Sequence, residues 1–447
     1  MARSILSRDL AAIAARLRTA NTRLAAAYPG DAVARQPVHT LICSADAFRR
    51  DSAQQFGAAA VAALNEFGAT AASFAKTVGL PSDDATLADT VRARVLAKLK
   101  REPVEDLRLD FEDGYGTRPD AEEDGHAQST AAEMAAGMIA GTLPPFIGIR
   151  IKAMSHELHA RSLRTLDLFV TTLVKTAKRL PDNFAITVPK VMTPTHVDAV
   201  DRACTALERR LKLKRNSLRL ELMFETPQSI VAPDGTSALR ALVAAGAGRV
   251  RGAHFGVYDY TALVGITASW QHPRHLACDF ARHMMQVALA QTGVFIADGS
   301  SNVMPIPPHL PQPGRPLTDA QQRDNAATVH RAWKTHFGDV THSLVNGYYQ
   351  GWDLHPAQLP TRYAAVYAFY LSARPAATAR LKKFFDKAAR AGAVFDDAAT
   401  GQALVNFFSR AWTSGAITRE ELMETGVGPS DLEGRTFLQI LANRSGG

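Results

Sequence analysis

Eight short apolar segments, separated by stretches with helical spacing, constrain this chain more than any other feature. They are Val38–Cys43, Leu107–Phe111, Phe146–Ile151, Ala185–Val191, Leu218–Phe224, Val250–Phe255, Val294–Ala297 and, less regularly, Leu344–Leu354. Strands that alternate with helices build βαβ units and therefore a parallel sheet. Eight such units favour closure into a (β/α)8 TIM barrel over an open doubly wound sheet. No Gly-x-Gly-x-x-Gly follows the first segment, which weighs against a dinucleotide-binding fold. The 447 residues divide into an N-terminal helical segment (1–37), a catalytic barrel (38–374) and a helical C-terminal appendage (375–447).

The long connections carry further expectations. Residues 44–106 contain at least two helices, through Ser52–Leu64 and Thr86–Lys100. Residues 301–325 are rich in Pro and polar residues, a loop suited to covering the rim. Beyond residue 375 the spacing predicts helices over Ala379–Ala391, Ala398–Ser414 and Arg419–Glu424, with breaks at Gly392 and Gly415. Near the start, Leu6, Leu10, Ile13, Leu17 and Leu24 recur at helical spacing. That pattern predicts an amphipathic helix docked on the body, and Asp9 weighs against a transit peptide.

Composition narrows the function classes. With 46% hydrophobic and 21% charged residues the chain can bury a large core, which argues against disorder. No apolar run approaches the about eighteen residues that a membrane span needs. The three cysteines, Cys43, Cys204 and Cys278, are odd in number and far apart, so neither a disulfide framework nor a zinc cluster is expected, and a cytoplasmic setting is. The net charge of +8 is spread among acids without a basic–aromatic stripe. It suits anionic metabolites better than nucleic acid.

In a parallel barrel the C-terminal strand ends share one rim, where active sites form. Here the segment ends carry Asp110, Glu112 and Asp113, then Arg150 and Lys152, Lys190, Glu225 and Asp259, with Asp298 and His355 as two further candidates. Glu225 and Asp259 each close an apolar run on neighbouring segments, a placement that suits a hard divalent cation, Mg2+ above all. Alternation puts Arg108, Asp110 and Glu112 on one face of their strand, and Arg219, Glu221 and Glu225 on one face of theirs. A partly ionic barrel interior follows, in which Arg108, Asp110, Arg219 and Glu221 neutralise one another. Lys190, after Pro189, also fits a Schiff-base lysine, and His355 a general acid/base. Gly114 and Gly116 bracket Tyr115 in a turn that lets backbone N–H groups approach an anion.

These residues also resemble the superfamily of citrate lyase beta subunits, malyl-CoA lyases, malate synthases and HpcH/HpaI aldolases. The likeness lies in Leu109-Asp110-Phe111-Glu112-Asp113, Gly148-Ile149-Arg150-Ile151 and Val188-Pro189-Lys190-Val191. It continues in Phe224-Glu225-Thr226-Pro227, Phe255-Gly256-Val257-Tyr258-Asp259 and Leu354-His355-Pro356-Ala357-Gln358, in the family's order. The resemblance implies Mg2+, or Mn2+ in its place, held by Glu225 and Asp259. It implies a small 2-oxo acid such as pyruvate, oxaloacetate or glyoxylate chelated there, with Arg150 facing the oxygen that becomes an enolate. Glu112, Asp113 and Lys190 join the catalytic set, while Asp110, Pro227, Gly256, Val257 and Tyr258 contact substrate. The family also leans towards homo-oligomers. The chain departs from the pattern at Cys43-Ser44-Ala45-Asp46, which lacks the usual proline, at Gly114-Tyr115-Gly116, at Lys152 and in its long insertions.

The expected activity is thus a Mg2+-dependent carbon–carbon lyase or aldolase. An acyl-CoA lyase, Claisen-type synthase or thioesterase using a CoA thioester is the alternative within the superfamily. A non-catalytic barrel is the alternative outside it.

Overall fold

The computed structural model describes residues 5–31, 34–80, 84–391, 398–433 and 436–445. Eight strands form one parallel sheet: β1 His39–Ser44, β2 Asp106–Asp110, β3 Phe146–Arg150, β4 Phe184–Val188, β5 Arg219–Phe224, β6 Val250–Phe255, β7 Phe295–Ala297 and β8 Gly351–Asp353. Their order, β7-β6-β5-β4-β3-β2-β1-β8, curls the sheet into a barrel. Closure comes just past β7, where Trp352 N–H donates to Gly299 O and Asp298 N–H donates to Gln350 O. This is a (β/α)8 barrel with an N-terminal helix and C-terminal helices, as the alternation predicts.

The side-chain period of two explains the layers. Leu107, Leu109, Leu220, Leu222 and Phe224 are fully buried and belong to the hydrophobic core. Burying each such side chain stabilises by about 1.5–3 kcal/mol. The opposite faces carry Arg108, Asp110, Glu221 and Thr187, also buried. Strand crowding requires glycine in this wall where a Cβ on Gly148 would lie 2.1 Å from Ala185 O.

Three local expectations change. The eighth strand is only Gly351–Asp353, because the helix Asp319–Val345 keeps its period through residues 344–345. The helix Ser7–Ala27 forms but has no buried residue, and Leu10, Ile13, Leu17 and Leu24 are 40–58% exposed. It buries no side chain against the body, and the residues after it are tied down, through Tyr28 against Arg240 and Gly30 N–H to Gln291 O. Arg219 does not enter the interior, since it opens β5 at the barrel's N-terminal mouth and is exposed.

The insertion after β1 folds as helices Ser52–Phe67, Ala71–Val78 and Ala85–Arg101. The helix Leu359–Ala391 is continuous, so a division at 374/375 falls inside it. Helix Ala398–Thr413 packs behind it, with Phe407 5.1 Å from Tyr370, and Gly415 follows with φ of +80°. Gly392 lies outside the described residues. No helix among the described residues is long and apolar enough to cross a membrane.

Candidate active site

The C-terminal strand ends surround a cavity of about 430 Å3. Asp113, Arg150, Glu225, Gly256, Val257, Tyr258 and Asp259 line it. Glu112 and Lys190 sit against its wall: Lys190 Nζ is 2.5 Å from Glu112, 2.9 Å from Asp113 and 3.6 Å from Asp259. Five strand ends thus converge in one place, which backbone parallelism alone accounts for.

Arg150 is the best-held group. Asp110 accepts from its Nε at 2.6 Å and from its Nη2 at 2.7 Å, while Nη1 faces Glu112 at 3.3 Å. Burial opposes this guanidinium's charge, but Asp110, with Glu112 and Glu225, outweighs burial and raises its pKa. Asp110 also accepts from the N–H groups of Glu112 and Gly114. A Cβ on Gly114 would lie 2.7 Å from Asp110 Oδ2, so that turn requires glycine. Asp110 therefore faces Arg150 rather than open space, and the structure gives it no share of the cavity lining that substrate contact needs.

Glu225 and Asp259 stand together. Glu225 is buried, and Lys190 N–H donates to its Oε1 at 2.7 Å. That donation rests on an unusual backbone, with Lys190 at φ of +49°. Gly256 leaves the room, since a Cβ there would lie 2.4 Å from Glu225 Oε2. Burial, then the neighbouring Asp259 charge, push the Glu225 carboxyl up to about 8. Glu112 is likewise raised by burial, against the pull of Arg150. Burial opposes the Lys190 charge, but Glu112 and Asp113 together outweigh it and raise the ammonium, which keeps it charged. A Schiff-base lysine needs the neutral amine. The geometry therefore disfavours that role.

Among the described residues Asp110, Glu112, Asp113, Glu225 and Asp259 face Arg150 and Lys190, so five carboxyl groups meet two cations. This donor set fits Mg2+, which takes one or two carboxylates and leaves other positions to water and substrate. Among the described residues no group of three or more His, Cys, Asp or Glu gathers as metal ligands, which fits a zinc centre less well. Glu225 and Asp259 are the residues that would hold the ion.

Four further candidates lie off the cavity lining. Asp298 accepts from Arg282 at 2.9 Å and from Ser343 at 2.5 Å, so its carboxylate turns away from the rim into a buried ion pair. His355 caps the turn Pro356–Gln358, its Nδ1 accepting from Ala357 N–H, and burial lowers its pKa. Pro227 opens the short helix Pro227–Ile230 and does not line the cavity. Lys152 is spent on Phe111 O at 2.6 Å and Glu123 at 3.0 Å, which pins the turn after β2.

Met223 and Trp352 are among the lining residues that the sequence pattern did not bring out. Met223 meets Arg150 Nη1 at 3.8 Å, and its even spacing from Glu225 was the available signal. Trp352 presents its ring 5.5 Å from the Arg150 guanidinium carbon. Its Nε1–H donates to His254 Nδ1 at 2.9 Å, so the imidazole proton sits on Nε2, 3.1 Å from Glu221. Glu221 in turn binds Arg108 and Arg251, each at 2.8 Å. An ionic column thus fills the barrel beneath the rim. Tyr258 lines the cavity with its hydroxyl already accepting from Asn302 N–H at 2.8 Å, which ties the 301–318 loop to the rim.

Fold and rim together define a (β/α)8 barrel with an acid-rich C-terminal rim. The chain belongs to the family described as a domain of unknown function, DUF6986, whose profile matches residues 17–440. A solved citrate lyase of Burkholderia xenovorans is similar at 16% identity, over 88% of this chain and 97% of that one, with a TM-score of 0.53. A malate synthase of Haloferax volcanii shares 15% identity over 90% and 97%, with a TM-score of 0.45. The citrate lyase beta subunit of M. tuberculosis, complexed with oxaloacetate and magnesium, shares 15% over 74% and 96%, at 0.39. The first likeness bears out the fold that the sequence fragments imply, and the two lower scores add nothing to it. No curated protein matches the chain.

Proposed function

We propose that the protein is a Mg2+-dependent carbon–carbon lyase or aldolase that releases or adds a small 2-oxo acid. One observation carries this reading: the surplus of carboxyl groups around a cavity into which a single, rigidly held guanidinium points. Buried charges are ordinarily paired, and here, among the described residues, five carboxyl groups share two cations. When bound, Mg2+ supplies Lewis-acid polarisation of substrate oxygens.

The chain's own residues do the rest. Breaking a C–C bond beside a carbonyl places negative charge on that oxygen. Arg150, fixed by Asp110 before substrate arrives, meets the charge without reorganising, which lowers the barrier. Trp352 and Met223 wall the guanidinium in, and Ile42, Val257 and Leu354 line the cavity with apolar surface that limits water. Lys190 holds Glu112 and Asp113 in place and, through its backbone, orients Glu225. Gly256, Val257 and Tyr258 give substrate a flat wall beside Asp259. The cavity's size suits a small acid and its reaction partner.

The test is turnover with Mg2+ and a panel of 2-oxo and 3-hydroxy acids, chosen by Mg2+-dependent thermal stabilisation. Glu225→Gln should abolish metal-dependent turnover and leave the fold intact. Full activity in that variant contradicts the reading.

A further inference from the structure

A second cavity, of about 340 Å3, lies at the opposite end of the barrel. Its wall is built from the N-terminal strand ends, including Phe146 of β3 and Phe295 of β7, together with Leu289, Ile296 and Tyr349. Helix Ala398–Thr413 closes one side and contributes Arg410, which also lines the adjoining hollow. We propose that this cavity is a binding site for a small organic monocarboxylate with an apolar body, its carboxylate paired with Arg410.

Charge balance singles out Arg410. Two other arginines line the cavity, but Arg35 is paired with Glu102 and Glu105, both at 2.9 Å, and Arg251 with Glu221 at 2.8 Å. Arg410 has no acid partner among the described residues. Its guanidinium carbon lies 4.2 Å from the Tyr349 ring centroid, which holds the plane against an aromatic face and leaves its edge to a ligand. Asp31 lines both hollows with Arg410, but it is exposed and forms no ion pair with it, so water screens its charge. One uncompensated cation matches one negative charge, and a planar guanidinium edge matches a carboxylate in two parallel hydrogen bonds. A phosphate dianion would leave a charge unpaired. The apolar wall then takes the rest of the ligand, as in ordinary metabolite pockets. N-terminal barrel mouths ordinarily serve stability, so a lined cavity with a free cation there stands out.

The proposal is independent of the rim chemistry, and calorimetric titration of the full chain with benzoate tests it. Benzoate should bind saturably at one site, and benzamide at least tenfold more weakly, because a hydrogen bond to a charged group is worth about 1.5–3 kcal/mol. Arg410→Met should weaken benzoate binding at least tenfold. Ala290→Trp, at an exposed position on the cavity lining, should do the same by filling it, and thermal melts establish that both variants fold. Arg150→Met should leave benzoate binding unchanged. The proposal is overturned if benzoate shows no saturable binding or if benzamide binds equally well. It is also overturned if the affinity is lost with Arg150→Met but kept with Arg410→Met.

Discussion

The barrel interior and its rim are both built from charged side chains, yet their balances differ. Inside, Asp106 and Glu221 meet Arg108 and Arg251, two acids against two cations, and all four are largely enclosed. At the rim five carboxyl groups meet two cations. Burial pushes Glu221 up, but Arg108 and Arg251 outweigh it and hold that carboxylate well below its ordinary range. Burial pushes Glu225 the same way, and its neighbour Asp259 adds to the effect instead of opposing it. Two glutamates four residues apart, one in β5 and one just past its end, thus serve opposite ends: one closes a structural network, the other adds to a surplus of acid at the rim.

The largest expected effect breaks the interior. Arg108→Met leaves Glu221 and Asp106 short of a cation, and removing one partner of a buried pair costs about 3–5 kcal/mol. Denaturant melts should show that loss, whereas Glu225→Gln should lose no stability without metal. At the rim, Asp110→Asn replaces the carboxylate that orients Arg150. Turnover should fall by about 10²–10³, the scale of losing one preorganised donor, with KM changing far less.

The pH dependence sharpens the contrast. The folded Glu225 carboxyl titrates at about 8, above its ordinary value, so the folded protein binds that proton more tightly than the unfolded chain does. Its stabilising contribution is full at acid pH and is lost as pH rises through about 8. Without Mg2+ the melting temperature should therefore decline as pH rises through that range, and Glu225→Gln should flatten the decline. Mg2+ should restore stability most at the alkaline end, where it no longer competes with the proton. A profile unchanged by Glu225→Gln would place the titrating group elsewhere.

Smaller effects come from the supports. Gly256→Ala sets a methyl against Glu225 Oε2 and should weaken Mg2+ binding about tenfold, read by titration. Trp352→Phe keeps a ring over Arg150 but loses the hydrogen bond to His254. About 0.5–1.5 kcal/mol is at stake, a several-fold loss in turnover.

Strand-end position and alternation made much of this rim legible. Both depend only on backbone parallelism, which the eight apolar segments specify, and they brought out Arg150, Glu225 and Asp259. Position alone does not say where a side chain turns. Asp298 also ends a strand, but Arg282 and Ser343 draw it outward, and those partners lie in helices whose docking no local pattern encodes. His355 precedes a proline that starts a turn, and its ring caps that turn. Trp352 was hidden because the helix before it keeps an apolar period into residues 344–345, which blurred the eighth strand. Spacing showed that the first helix is amphipathic but carried no information about what covers it.

The most direct measurement of the central claim is calorimetric titration of Mg2+ into the protein near pH 8, with and without a 2-oxo acid such as oxaloacetate. The account predicts saturable Mg2+ binding that tightens with the acid present, releases a proton, and disappears in both Glu225→Gln and Asp259→Asn. Equal Mg2+ affinity in wild type and both variants, or no mutual effect of cation and acid, would contradict it.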